Sequence, residues 1–294
     1  VERHRHIFPF VATIAGVALY SLMDALMKES TLAVGAYSAL LLRSAISFAL
    51  IGPAWRLTRK SRPSARTMRL HWLRGAVLTA MAFTFFWGIA RLPLAEAIAL
   101  AFTAPLIALY LAAWMLGETV SRRARIASLL GLAGVVVIGA GRMRMPAADP
   151  EALWGAASVL LSSILYAWNL VLQRQQALLA KPGEVATWQN GVMLVLLIGF
   201  APIALHLPDG PALLHIAGAS LLSLAAAMLF AWAYARAEAQ ALVPLEYSGF
   251  LWAALFGWLF FSEGVGWPVL TGAVLIVIAC WIAAPRKRPE PAAV

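Results

Sequence analysis

The chain has 294 residues, 62% of them hydrophobic and 12% charged, with a formal net charge of +10 and a mean hydropathy of +0.81. Soluble globular proteins average about 45–50% apolar and about 25% charged residues, so this chain lacks the charge to clothe a water-exposed surface. The composition excludes a soluble domain of this length and indicates an integral membrane protein.

A membrane-crossing helix needs about 20 mostly apolar residues. The sequence offers ten such segments, at about 8–28, 34–55, 71–91, 94–116, 123–142, 152–175, 185–206, 212–235, 239–261 and 267–284. Together with short loops they use nearly the whole length and leave no room for a soluble catalytic domain. Stretches such as SLLGLAGVVVIGAG are apolar on every face, which fits helices and not the alternating strands of a barrel.

The basic flank before the first span resembles a signal peptide. The run is long, contains Asp24 and lacks a small-residue cleavage site, so it reads as a retained helix. Charges inside a bilayer are costly and are functional suspects. Asp24 and Lys28 are spaced i,i+4, which predicts an ion pair at the outer boundary, with Asp24 also a candidate contact for a substrate amine. Arg43 lies within the second span, able to reach a neighbouring carboxylate or to snorkel. The third span is crowded with Phe83, Phe86 and Trp87, and the fourth opens on Glu96, where a carboxylate suits a helix N-terminus.

In the sixth span Tyr166, Asn169 and Gln173 form one polar stripe, which predicts contact with substrate or with another helix. Gln189 and Asn190 of the seventh span read as structural. The eighth holds Phe230, Trp232 and Tyr234. In the ninth, Glu246 follows Pro244, so a kink beside a carboxylate is expected, with Glu246 a contact for a substrate amine or a proton. The five histidines read as lying in flanks and loops without metal-ligand spacing, and Cys280 stands alone, so neither a metal site nor a disulfide is expected.

Sorting Lys and Arg by loop places eighteen of the 23 on the side of the N-terminus, four on the other side, and Arg43 within a span. That asymmetry puts both termini in the cytoplasm. The densest basic run, RLTRKSRPSARTMRLHWLR, then reads as an orientation signal that meets anionic lipid heads. It lacks the interleaved aromatics of a nucleic-acid groove, so no nucleic-acid partner is expected.

The halves echo each other at an offset of about 145 residues. Phe85 falls on Phe230, Trp87 on Trp232, Arg91 on Arg236 and Glu118 on Glu263; one residue more puts Tyr20 on Tyr166. This divides the chain at 1–145 and 146–294, the second half ending in a short basic tail. Five spans per half is odd, so the halves enter the membrane in opposite senses. Such inverted repeats place a substrate site near midplane and alternate its access by rocking.

Two apolar helices end in the same corner, Gly117-Glu118 and Ser262-Glu263, each followed by a Gly-rich helix. With ten spans in two halves, this resembles the drug/metabolite transporter superfamily, EamA type, and the Trp- and Met-rich character is most similar to YddG-type exporters of aromatic amino acids. The resemblance implies an all-α integral membrane fold around a central cavity lined by spans one, three, four, six, eight and nine, in a bacterial inner membrane. It implies export of small amphipathic metabolites, aromatic or hydrophobic amino acids first among them. The substrate contacts expected are Tyr20, Asp24, Phe83, Trp87, Tyr166, Asn169, Trp232 and Glu246.

A multidrug or nucleotide-sugar-like carrier is the rival within the superfamily. A sugar phosphate calls for more cavity arginines than Arg43 alone. No GxxxxGK[ST] motif is present, so ATP is not the direct energy source. No catalytic cluster at helical spacing points to an intramembrane enzyme, and a structural subunit is the remaining reading. No cofactor is expected. The corner glutamates read as pinning the start of the next helix. The small-residue faces of spans five and ten (Gly131, Gly134, Gly139; Gly272, Ala273, Ala279) suit packing on each other or on a second subunit, so a homodimer is a candidate assembly.

Overall fold

The computed structural model describes residues 8–58, 63–104, 106–107, 110–111, 122–143, 150–177, 179–234, 245–246 and 248–283. Its helices are α1 (Phe8–Thr58), α2 (Ala65–Ile89), α3 (Leu94–Ala101), α4 (Arg122–Met143), α5 (Pro150–Ala177), α6 (Pro182–Ile198), the single turn α7 (Ala201–Ala204), α8 (Gly210–Tyr234), α9 (Gly249–Phe261) and α10 (Trp267–Ala283). Glu118, Pro244, the N-terminal flank and the basic tail lie outside the described residues.

α1 holds two of the expected spans. Fifty-one residues in one straight helix would run about 75 Å, against a hydrocarbon core of about 30 Å. The chain solves this at Gly35, whose φ of 80° and ψ of 155° break the helix into arms 8–34 and 36–58. Residues with a Cβ rarely reach that conformation, so glycine is what allows the reversal. The segment 29–33, expected as a loop, is helical and extends the first arm. α2 also starts before the expected residue 71: Ser64 caps it, its hydroxyl accepting from the Thr67 N–H at 3.1 Å.

α8 packs on α1, α2 on α5 and on α6, α10 on α4, α6 on α1, and α9 on α1 and α3. Small residues allow the closest crossings. A Cβ on Gly134 would lie 2.7 Å from the Gly272 carbonyl, and one on Gly272 would lie 2.6 Å from the Gly134 carbonyl. The small faces of α4 and α10 are therefore spent on each other, and the homodimer face expected there is already covered.

Large apolar side chains point outward along the same helices: Leu129, Leu132 and Val136 on α4, and Leu251, Trp258 and Leu259 on α9. Among the described residues four helices are long and apolar enough to cross a membrane, counting α1 as one, and four shorter apolar helices accompany them. An apolar exterior around buried Ser, Thr, Asn, Gln, Arg and Glu inverts the soluble pattern and suits a lipid surround.

Candidate functional site

The antiparallel arms of α1 bring two opposite charges together. Asp24 lies 11 residues before the Gly35 break and Arg43 eight residues after it, so both sit about 12–16 Å below the turn, near mid-depth of an apolar core. They are within electrostatic range of each other. Tyr20, one turn before Asp24, is in range of Arg43, Asp24, Glu246 and Arg74. Tyr166 of α5 is in range of Glu246, Tyr20 and Arg74. Two carboxylates, two guanidiniums and two phenols thus converge from α1, α2, α5 and the segment leading into α9.

Lys28 does not complete the expected pair with Asp24. Its buried Nζ donates to the Leu92 carbonyl at 2.6 Å and to Glu263 Oε1, and it lies 4.7 Å from the centre of the Phe261 ring. The first arm continues past residue 28, which aims Lys28 at the corners before α3 and α10. Glu263 is a pinning residue, as expected, but it pins α3 and not the helix that follows it: Oε2 accepts the Leu94 N–H at 2.7 Å. A left-handed Ser262 (φ 53°) turns the chain so that this carboxylate faces back across α9.

Sequence reasoning missed an extended polar network. Arg74, counted there with the basic loop, is buried. Its Nε donates to Asn169 Oδ1 at 2.9 Å and its Nη1 to Gln176 Oε1. Gln176 Nε2 meets His71 Nδ1 at 2.6 Å, and His71 Nε2 meets Glu184 Oε1 at 3.0 Å. The imidazole stacks on Trp188 at 5.7 Å. The contacts run from guanidinium to amide to imidazole to carboxylate and join α2, α5 and α6. His71 is therefore a buried helix residue and not a loop histidine. The stripe on α5 runs through Asn169 and Gln176, while Gln173 is exposed. Spacing was the available signal: 71 and 74 are i,i+3, and 169 and 176 are two turns apart.

The remaining expected contacts are dispersed. Asn169 is committed to Arg74. Trp87 lies under the Arg91 guanidinium, 3.5 Å from the ring centre, and Arg91 in turn bonds Glu151 at 2.6 Å, so this tryptophan sits at a charged helix end. Phe83 and Trp232 are each more than a third exposed. Glu96 is buried in the first turn of α3, and Asn190 donates to the Ala186 carbonyl at 2.9 Å, both in keeping with structural roles. No group of His, Cys, Asp and Glu suited to a metal occurs among the described residues.

The bundle's overall path is shared with a solved crystal structure at a TM-score of 0.63, covering 94% of this chain and 96% of that one at 21% identity. The EamA-like transporter family matches residues 8–140 and again residues 153–284. The chain belongs to the EamA-like transporter family. Among its relatives, it is 29% identical to the pseudopaline exporter CntI of Pseudomonas aeruginosa over 267 residues, 89% of this chain and 90% of the relative. It is 27% identical to a riboflavin transporter of Rhizobium johnstonii over 277 residues, 90% of this chain and 87% of the relative. This EamA-like transporter is thus a multi-pass membrane protein whose relatives carry small molecules. Those relatives do not point specifically to the aromatic amino-acid exporters that the sequence resembles in composition.

Proposed function

We propose that this chain is a secondary transporter that exports small amphipathic metabolites across a bacterial inner membrane by alternating access. Both termini are cytoplasmic and a central site lies between residues 1–145 and 146–294. The observation that carries the reading is the convergence of Tyr20, Asp24, Tyr166 and Glu246 with Arg43 and Arg74 at mid-depth, in a chain of a transporter family. Isolated charges at that depth are costly, and a polar ligand that crosses the membrane gives them a use.

The repeat supports the mechanism. The family matches once in each half. Contacts also exchange when each span is replaced by the span five places away: the third against the sixth (α2 on α5) becomes the eighth against the first (α8 on α1). The second against the seventh, the fourth against the ninth, and the fifth against the tenth map onto themselves. Such a bundle has two related arrangements, opening to one side or the other.

Amino acids with aromatic or hydrophobic side chains remain the first substrates to try. The Tyr20 and Phe230 rings, 5.6 Å apart, and Phe86 supply flat apolar surface beside the charges. The decisive experiment is flux into liposomes holding the purified chain, using labelled phenylalanine, tryptophan, riboflavin and a panel of anionic metabolites, with and without a pH gradient. Equilibration of any one supports the reading, and failure of all overturns it. Asp24→Asn and Glu246→Gln are expected to lower flux of the transported compound at least about tenfold; unchanged flux at every pH removes both from the site.

A further inference from the structure

Buried Arg74 and half-buried Arg43 are differently occupied. Arg74 spends Nε and Nη1 on two side-chain oxygens. Arg43 does not: among the described residues its Nε is buried without a hydrogen-bond acceptor, and its Nη2 has only the Met193 sulfur at 4.0 Å. Buried donors in folded proteins are nearly always satisfied, so such an orphan calls for an explanation. Asp24 does not supply the acceptor. The two are in electrostatic range, yet no hydrogen bond joins them, and the Asp24 carboxylate bonds to no other described residue.

We infer that Arg43 binds the carboxylate of the transported ligand and that Asp24 binds its ammonium, so the pair selects a zwitterionic amino-carboxylate head group, while Arg74 is a scaffold residue. This rests on the proposed transport function and assigns the ligand chemistry of the same site. A guanidinium presents Nε–H and Nη–H as a planar fork that matches the two oxygens of a carboxylate. Phe86, with its ring centre 5.9 Å from Arg43 Cζ, and buried Met193 hold the fork against apolar surface, where a charged partner is worth most. The two groups lie on opposite sides of the Gly35 break, about 16 and 12 Å from it along their arms. A ligand bearing both charges a bond or two apart satisfies both at once. A simple acid or a simple amine leaves one of them facing an uncompensated charge.

Three probes differing only at the head group separate the possibilities: L-phenylalanine, L-phenylalaninamide, which lacks the carboxylate, and 3-phenylpropionate, which lacks the amine. Binding is read by thermal stabilisation of the full chain in detergent and by inhibition of flux in liposomes. Wild type is expected to bind the zwitterion at least about tenfold more tightly than either analogue. Arg43→Gln is expected to bring phenylalanine down to the level of the amide without altering amide binding. Asp24→Asn brings it down to the level of the acid. Arg43→Lys, which keeps the charge but loses the fork, falls between Gln and wild type. Equal binding of the three probes by wild type overturns the inference, as does an Arg43→Gln variant that loses all three alike or none. If none of the three binds while riboflavin or an anionic metabolite is still transported, this inference fails and the transport reading stands. If nothing is transported, the transport reading itself fails.

Discussion

Gln176 stands between a guanidinium and an imidazole, accepting from Arg74 through Oε1 and meeting His71 Nδ1 through Nε2. Gln176→Leu would orphan a donor on Arg74 and an acceptor on His71 at once, and each buried orphan costs about 1–3 kcal/mol. The melting temperature of the purified protein is therefore expected to fall further for Gln176→Leu than for Asn169→Leu, which removes one acceptor. Arg74→Lys is expected to behave more like a deletion than a conservative change, because an ammonium cannot hold both oxygens at the fork's geometry. Little of this was legible in the sequence. Hydropathy placed Asp24, Arg43, Tyr166, Asn169 and Glu246 inside spans, since an apolar neighbourhood marks them. Arg74 was taken for a loop residue because Arg66 and Arg69 precede it, and those two are exposed. All three lie in α2, and what separates Arg74 from them is its partners Asn169 and Gln176 on α5, which a one-dimensional pattern does not carry.

Glycine decides where helices turn and where they touch. Gly35 occupies a region closed to most side chains, so Gly35→Ala is expected to cost about 1–3 kcal/mol even though open space surrounds the missing Cβ. Gly134→Val meets the opposite problem. Its backbone is ordinary, but the Cβ would press on the Gly272 carbonyl and on Ile276, so α4 and α10 must separate. Overpacking of this kind costs about 1–3 kcal/mol, and Gly134→Ala should cost less than Gly134→Val in the same melting assay. At this scale the sequence was more informative. Apolar runs marked the helices, because burial in lipid demands a minimum length of apolar residues whatever the neighbours are. Their ends are less legible: hydropathy reports depth and not dihedral angle, so it places a loop at 29–33 where the first arm continues as helix.

That continuation sets up a link between the two halves of the molecule. Lys28 and the Leu92–Leu94 turn belong to the first family match, and Glu263 belongs to the second. One carboxylate joins them, taking the Lys28 ammonium on one oxygen and the Leu94 N–H on the other. Lys28 is almost wholly buried, so its charge depends on this partner and on the Leu92 carbonyl. Removing one member of a buried pair strands the other and costs about 3–5 kcal/mol, whereas replacing both can be nearly neutral. Lys28→Met is therefore expected to melt well below the wild type. Lys28→Met combined with Glu263→Gln, which keeps an acceptor for the Leu94 N–H, should melt above Lys28→Met alone. A double variant whose loss equals the sum of the two singles would mean that the pair is not coupled. Under the proposed alternating access, rocking of one half against the other would open or carry this contact. The stabilised double variant then separates two roles: if it recovers stability and transport together, the contact only holds the fold. If stability returns while flux stays low, the contact also sets the balance between the two open states.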